Sequence, residues 1–231
     1  MKRIDALILD AGGVLVHPVH GDWNIPARYR ELMGDCARDI PGAAWMEACR
    51  AESATLREDV IVPDMAAERA LRLKFLRDVA ARMGWALDGA QLSALADDFC
   101  YNLSRYAYYP DALEMLNVLR GRVRLGMLSD AMPSFRAFVR ERGLEAFFDA
   151  VVVSTEIGAT KPDARMYAEI CRRMGADARR CLFVDDRECN LRGAMEVGML
   201  AVQMCRDGLP HWDGPWVRDL SELNAHLEGL L

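Results

Sequence analysis

Val123-Arg124-Leu125-Gly126-Met127-Leu128-Ser129-Asp130 is a short apolar run that ends in two polar residues, and a helix-like segment from Pro133 to Arg142 follows it and stops before Gly143. The same unit recurs downstream. Ala150 to Val153 precedes Pro162 to Met174 and Gly175; Cys181 to Val184 precedes Glu188 to Val197 and Gly198; Met199 to Val202 closes the series. Proline near a helix start costs no intrahelical hydrogen bond, and glycine past the end accepts the left-handed turn that closes the helix. Strand-length apolar runs separated by helices of about ten residues predict βαβ units with a parallel sheet covered by helices. Ala6 to Leu9 is a further run of this kind at the N-terminus.

Between that run and residue 107 the pattern changes. Arg28 to Ile40, Ala43 to Glu58, Asp64 to Met83 and Asp88 to Tyr106 all read as helices, most clearly where Leu71, Phe75, Val79 and Met83 recur every fourth residue. Asp64 is an expected N-cap. A helical stretch of roughly 90 residues is too long for a loop. The expected fold class is therefore α/β: a Rossmann-like parallel-sheet core from 1–16 and 107–231, with helices on both faces, and an inserted α-helical domain over 17–106.

The 231 residues are 52% hydrophobic and 28% charged, with 29 Lys+Arg against 35 Asp+Glu and a net charge of −6. That composition suits one large or two unequal globular domains and argues against a nucleic-acid surface. The apolar runs fall far short of the about 20 residues a membrane span needs, and the N-terminal run ends at Asp10 without a cleavage pattern. The seven cysteines are scattered without a C-x-x-C pair, which suits buried free thiols in the cytoplasm. The expected partner is a small molecule rather than a nucleic acid or a membrane. The chain is expected as a monomer or homodimer, with Trp212 or Trp216 in the Gly/Pro-rich tail offered as a dimer contact.

In an open parallel sheet, ligands bind outside the carboxyl ends of the strands, so the residues directly after each run carry the functional reading. Asp10 with Ala11-Gly12-Gly13 follows the first run, and Ser129-Asp130 the second. Lys161 ends the loop after Val153, and Asp185-Asp186 follow Val184, with Asn190 a turn further on. Each residue alone has a structural explanation: a cap or turn for Asp10, a turn hydroxyl for Ser129, a surface charge for Lys161, and a favourable helix N-terminus for Asp185-Asp186. Together they mean more. Carboxylates that converge at one sheet edge repel one another unless a hard divalent cation such as Mg²⁺ joins them. A lysine and a hydroxyl at the same edge suit the oxygens of a phosphoryl group, and Asp10 could then attack as a nucleophile. Gly12-Gly13 lets backbone approach the metal or the phosphate. Gly12, Gly13, Ser129, Asp130 and Lys161 are thus the expected substrate-binding residues.

Four segments in order resemble the motifs of the haloacid dehalogenase superfamily, a group dominated by Mg²⁺-dependent phosphatases. They are Leu7 to Leu15, Met127 to Asp130, Ile157 to Asp163, and Phe183 to Asn190 running on to Gly198-Met199. The resemblance implies that Asp10 is the nucleophile that becomes phosphorylated, Ser129 binds the transferred group and Lys161 neutralises both. It places Mg²⁺ on Asp10, the Gly12 carbonyl, Asp185 and Asp186. Asn190 orients the loop, and the helical insert stands where the family has its small cap domain. Trp23, Arg28, Tyr29, Trp45 and Arg50 in the early cap, and the tyrosines 101, 106, 108 and 109 near the return, are candidates for substrate contact.

One position departs from the pattern. The family's phosphatases usually carry a second Asp two places after the nucleophile, as general acid and base, and here that place is Gly12. A positioned acid/base supplies about 10² to 10⁴ in rate; His17, His20 or Asp130 could substitute. The expected activity is hydrolysis of a small phosphorylated metabolite, a sugar phosphate or nucleotide, through an aspartyl phosphate. The alternatives are a 2-haloacid dehalogenase, whose branch needs no Mg²⁺ and usually replaces the acidic pair of the fourth motif, and a metal- and phosphate-binding protein weakened in turnover by Gly12. A phospho-acceptor signalling domain, whose acidic pair lies at its first strand, fits the motif order poorly.

Overall fold

The computed structural model describes residues 3–55 and 62–230. In chain order its elements are β1 (Ala6–Leu9), β2 (Val16–Pro18), α1 (Tyr29–Met33), α2 (Ala43–Thr55), α3 (Met65–Met83), α4 (Gly89–Tyr101), β3 (Tyr106–Tyr108), α5 (Ala112–Leu119), β4 (Arg124–Ser129), α6 (Pro133–Glu141), β5 (Ala150–Val153), α7 (Ser154–Ile157), α8 (Ala164–Met174), β6 (Cys181–Asp185), α9 (Glu188–Glu196), β7 (Leu200–Met204), β8 (Trp216–Val217) and α10 (Leu220–Leu227). They form two compact units. The α/β unit comprises Met1–His17, Tyr108–Ala131 and Val139–Leu231; the helical unit comprises Pro18–Ala107 together with Met132–Phe138.

The α/β unit is a Rossmann-like six-stranded sheet of order β5-β4-β1-β6-β7-β8, and every pairing in it is parallel. Its strands read as unbroken apolar runs because helices cover them: β1, β5 and β6 are buried at every residue. Helix α8 lies across β4 and β5, and α9 packs on β6 and β7. Ile8, Leu128, Val152, Met166, Tyr167, Ile170 and Phe183 meet in one apolar cluster there. Strand order reverses around β1, the point where a sheet of this kind opens a crevice at its carboxyl edge.

The helical unit has its own core. Helix α3 packs against α2 and α4, and Trp45 stacks on Trp85 at 5.9 Å and 15°. Asp64 caps α3 by accepting from the Ala67 amide, and Asp88 with Gln91 forms a reciprocal capping box on α4.

Several boundaries differ from the sequence expectation, each for a local reason. The helix expected over 28–40 stops at Met33, because Gly34 takes φ 56° and a 3₁₀ turn follows. The helix expected to Tyr106 ends at Tyr101, where Asn102 leaves helical geometry and its side chain accepts from the Ser104 amide. Tyr106 is therefore the start of a strand. The end of the helix expected over 43–58 lies outside the described residues. Helix α8 begins at Ala164 rather than Pro162, since Asp163 caps it. The Gly/Pro-rich tail continues the sheet as β8, with Trp216 37% exposed. The cysteines are all free, yet only Cys49, Cys100, Cys181 and Cys205 are buried; Cys36 and Cys171 are half-buried and Cys189 is exposed, because α9 turns that residue outward. Among the described residues, no helix is long and apolar enough to cross a membrane.

Phe99 is fully buried, with the Arg72 and Arg105 guanidinium groups 4.6 and 5.2 Å from its ring centre. Phe99→Ala should destabilise the helical unit by about 3–5 kcal/mol, since it leaves a cavity and takes an aromatic face from Arg72, while Arg105 keeps the Tyr106 ring 4.2 Å away. Denaturant unfolding followed by tryptophan fluorescence measures it.

Candidate active site

Register alone brings the polar strand ends together. Leu9 stands level with Met127 on β4 and with Val184 on β6, so the next residue on β1, Asp10, lies between the last turns of those two strands. There it meets Asp185, and Asp10, Asp185 and Asp186 each offer an oxygen within 4.8 Å of the others. Ser129 ends β4 at 3% exposure. Lys161 arrives from the loop after α7, is 6% exposed, and sends its ammonium into the carboxylates.

Lys161 Nζ donates to Asp185 Oδ2 at 2.7 Å and to the Leu128 carbonyl at 3.2 Å. It stands 2.9 Å from Asp10 Oδ1 as an ion pair, without the alignment of a hydrogen bond. Asp185 is saturated: besides Lys161, it accepts from Asn190 Nδ2 at 3.0 Å to each oxygen and from the Arg187 amide at 2.8 Å. Asp10 is not, because its buried Oδ1 has no hydrogen-bond partner. Asp185 is thus fixed by hydrogen bonds to both oxygens, whereas Asp10 Oδ1 is held by its ion pair with Lys161.

The electrostatics follow from the crowding. Burial, opposed by Lys161 and reinforced by Asp185 and Asp186, pushes Asp10 up to about 8. Asp186, whose side chain reaches solvent at the rim, is pushed up to about 6, by desolvation first and by Asp185 next. Burial works against the charge on Lys161, and the Asp10 and Asp185 carboxylates outweigh it, so its ammonium is held well above the ordinary lysine range. Burial also raises Asp130, whose Oδ1 accepts from the Lys161 backbone amide at 2.9 Å. Asp130 thus braces the lysine loop.

Gly13 is required here for two reasons. Its φ is +71°, and a Cβ on it would stand 2.5 Å from Asp186 Oδ2. Gly12 bridges to Val16, so the turn after Asp10 is held by backbone. Of the substitutes considered for the absent side chain at position 12, His20 Nε2 pairs with the Ala27 carbonyl at 3.0 Å. The His17 ring packs at 4.8 Å from Tyr109.

Of the aromatics and cations of the helical unit, Tyr29 and Trp45 are core residues and Arg28 pairs with Glu31. Trp23 and Arg50 line a cleft of about 410 Å³ within that unit, with Trp23 40% exposed. Among the tyrosines, Tyr106 is buried against Phe135 and Phe138, and Tyr101 is exposed.

Sequence reasoning missed the braces behind the site. Gln203 donates to the Asp186 carbonyl at 3.0 Å, and its own oxygen accepts from the His211 amide. Arg206 forks onto Asp111 at 2.8 and 2.9 Å, donates to the Val14 carbonyl and lies 4.1 Å over the Tyr109 ring. Gln203 left a readable signal, a lone amide inside the apolar run 200–204 that must find partners when buried. The Arg206–Asp111 pair is 95 residues apart in sequence and left none.

The haloacid dehalogenase-like hydrolase family matches residues 4–198. A phosphatase of Mycobacterium tuberculosis is 37% identical over 145 residues, 60% of this chain and 66% of that protein, so the chain spans just under two thirds of that relative. An (S)-2-haloacid dehalogenase of Pseudomonas sp. strain YL is 27% identical over 96% of this chain and 95% of its own. The HAD-hydrolase YfnB of Bacillus subtilis, in a magnesium-bound form, superposes with a TM-score of 0.73 at 19% identity, covering 98% of this chain and 99% of that one.

Two outcomes test this geometry. In the absence of divalent metal, Asp10 binds its proton more tightly in the folded protein, at about 8, than at the ordinary carboxylate value of 3.8. Such a group costs stability as pH rises between those values. In EDTA, the wild-type Tm should therefore fall from pH 5 to pH 8 relative to that of Asp10→Asn, which carries no titrating group there. Separately, Gly13→Ala should displace Asp186 and weaken divalent-cation binding by at least about tenfold, read by calorimetric titration.

Proposed function

Because this chain belongs to the haloacid dehalogenase-like hydrolases, we propose that it is the phosphatase kind: a Mg²⁺-dependent phosphomonoester hydrolase acting on a small phosphorylated metabolite, a sugar phosphate or nucleotide. The observation that carries the reading is the group of three carboxylates, Asp10, Asp185 and Asp186, that faces one buried ammonium. Once ionised, three carboxylates beside one lysine leave two negative charges in excess, and hard oxygen donors in that number fit a divalent cation. Asp10, Asp186 and the Gly12 carbonyl would hold it, with Asp185 beside them. When bound, Mg²⁺ neutralises the carboxylates and polarises the phosphoryl oxygens.

The chain's own residues then divide the work. Asp10 attacks phosphorus in line, forming an acyl phosphate while the bond to the leaving oxygen breaks. The Lys161 ammonium and the Ser129 hydroxyl donate to the equatorial oxygens, where charge accumulates in the transition state. Asn190 keeps Asp185 turned toward Lys161. Water then opens the aspartyl phosphate, returning Asp10 and releasing phosphate. Position 12 offers no side chain to protonate the leaving oxygen, so the reaction leans on electrostatic stabilisation. The helical unit stands in the chain where the family has its cap, and Trp23 and Arg50 offer an apolar face and a cation in a cleft of that unit.

A dehalogenase reading draws on the near full-length likeness to the Pseudomonas enzyme. It would use the same Asp10 against a halogen-bearing carbon and would need no cation.

Phosphate release from p-nitrophenyl phosphate, acetyl phosphate and a panel of sugar and nucleotide phosphates, with and without Mg²⁺, separates the readings. We expect release that requires Mg²⁺ and falls by more than about 10³-fold in Asp10→Asn. We also expect activated esters to exceed alkyl esters by about 10² or more, the share of a missing general acid. Halide release from (S)-2-chloropropionate that is unaffected by EDTA, with no phosphate released, would replace this proposal with the dehalogenase.

A further inference from the structure

Opposite the carboxyl edge of the sheet, the amino ends of the same strands gather charge of the other sign. Register assembles it. Ala6 of β1 stands level with Arg124 on β4 and with Cys181 on β6, which brings Asp5, Val123 and Arg180 together one residue earlier. Asp149, just ahead of β5, meets Leu125. Around these strand starts lies a cleft of about 640 Å³, and Arg3, Arg120, Arg122, Arg124 and Arg180 all line it. Every residue of the cleft belongs to the α/β unit.

Among the described residues, two carboxylates line the cleft, and both are engaged. Asp5 pairs with Arg180 at 2.6 Å, and Asp149 accepts from the Leu125 amide at 2.8 Å. Arg122 and Arg124 donate to uncharged oxygens: the first to Asn224 Oδ1 at 2.6 Å, the second to the Met174 and Gly175 carbonyls at 2.6 and 3.2 Å. The Arg3 and Arg120 side chains belong to exposed residues and have no hydrogen-bond or ion-pair partner among the described residues. Five guanidinium groups against two carboxylates leave three positive charges in excess, in a chain whose net charge is −6. Exposed arginines elsewhere in this unit sit on carboxylates instead, as Arg165 does on Asp163 and Arg192 on Glu188.

We propose that this cleft binds a small polyphosphate anion, with a nucleoside triphosphate as the fitting class, at a site separate from the catalytic carboxylates. Guanidinium forks match phosphate oxygens in charge and in planar geometry, and a concave wall concentrates their field. One phosphate group carries at most about two charges, so three in excess, spread over separate segments, suit a chain of phosphates. The volume is that of a small-molecule pocket. Half-buried Phe147 and Phe148 line the same cleft and offer apolar faces to a flat ring attached to the phosphates. Asp10 stands at the other edge, beyond the four residues of β1, so occupancy of the cleft needs nothing from the carboxylate group.

Calorimetric titration in metal-depleted buffer at physiological ionic strength tests this, with tripolyphosphate and ATP as probes. Without metal, the carboxylates at the other edge repel an anion, so binding reports the cleft. The proteins compared are wild type, Asp10→Asn, the double variant Arg3→Ala with Arg120→Ala, and Arg165→Ala, which removes a surface arginine outside the cleft. Tripolyphosphate should bind wild type and Asp10→Asn alike, and at least about tenfold more weakly to the double variant, whose melting temperature should not change. Arg165→Ala should bind within about twofold of wild type. Tighter binding of ATP than of tripolyphosphate assigns Phe147 and Phe148 to the base; equal binding assigns recognition to the phosphates alone. Absence of binding, dependence on Asp10, or equal weakening in Arg165→Ala would overturn the proposal. A single-stranded oligonucleotide that binds the cleft more tightly than either probe would replace the small anion with a nucleic acid and overturn it as well.

Discussion

One buried ammonium facing a surplus of carboxylates is the constraint around which the α/β unit is arranged. Lys161 sits in a region of low dielectric between Asp10 and Asp185, where charge interactions are strong and desolvation is costly. The fold meets that cost by register. Parallel pairing of β1 with β4 and β6 sets Asp10 and Asp185 side by side, and the apolar strands beneath them exclude water. Within this cluster Asp185 is fixed by donors from Asn190, Arg187 and Lys161, and Asp10 Oδ1 is held by its ion pair with Lys161.

Braces around the site work at the level of backbone rather than side-chain chemistry. Gln203 holds the Asp186 carbonyl, Arg206 holds the Val14 carbonyl, and Asp130 holds the Lys161 amide. Each ties a strand-end loop of the site to a neighbouring segment through a backbone group. A loop at a sheet edge has few amides of its own to pair with, so its order must come from such contacts. Within the helical unit, the buried Glu68 of α3 likewise accepts from a backbone amide, that of Ser134 at the N-terminus of α6.

What the sequence showed and what it hid follow the range of the interactions involved. The parallel sheet and the group Asp10, Ser129, Lys161, Asp185 were legible because strand ends are local features and topology alone brings them to one edge. The requirement for glycine at 13 was legible as a close approach, although its object, the Asp186 side chain, was not. Glu68, Arg206 and Asp111 were illegible: nothing in a heptad or an apolar run distinguishes a buried carboxylate from a solvated one until its partner, 66 or 95 residues away, is in place. Boundary errors were of another kind. Gly34 and Asn102 end helices that hydrophobic spacing alone would have continued, since spacing reports which face is buried and says little about where the backbone turns. The strand β8 in the tail was not legible because Gly and Pro mark turns, and a two-residue edge strand leaves no periodic trace.

Position 12 shows how far the remaining machinery must reach. Asp130 is committed to the Lys161 amide and His20 to the Ala27 carbonyl, while the His17 ring lies against Tyr109. What does remain at the sheet edge is charge: Lys161 fixed and cationic, Ser129 at the end of its strand, and carboxylates suited to a cation. Electrostatic stabilisation of this kind acts on the phosphoryl oxygens, and its strength is set by geometry that does not change with the leaving group. Proton donation acts on the departing oxygen, and its worth grows with that oxygen's basicity. On the proposed phosphatase reading, a site that keeps the first and lacks the second would still transfer phosphoryl groups to Asp10, and its selectivity would shift from the shape of the organic part toward the acidity of the alcohol released.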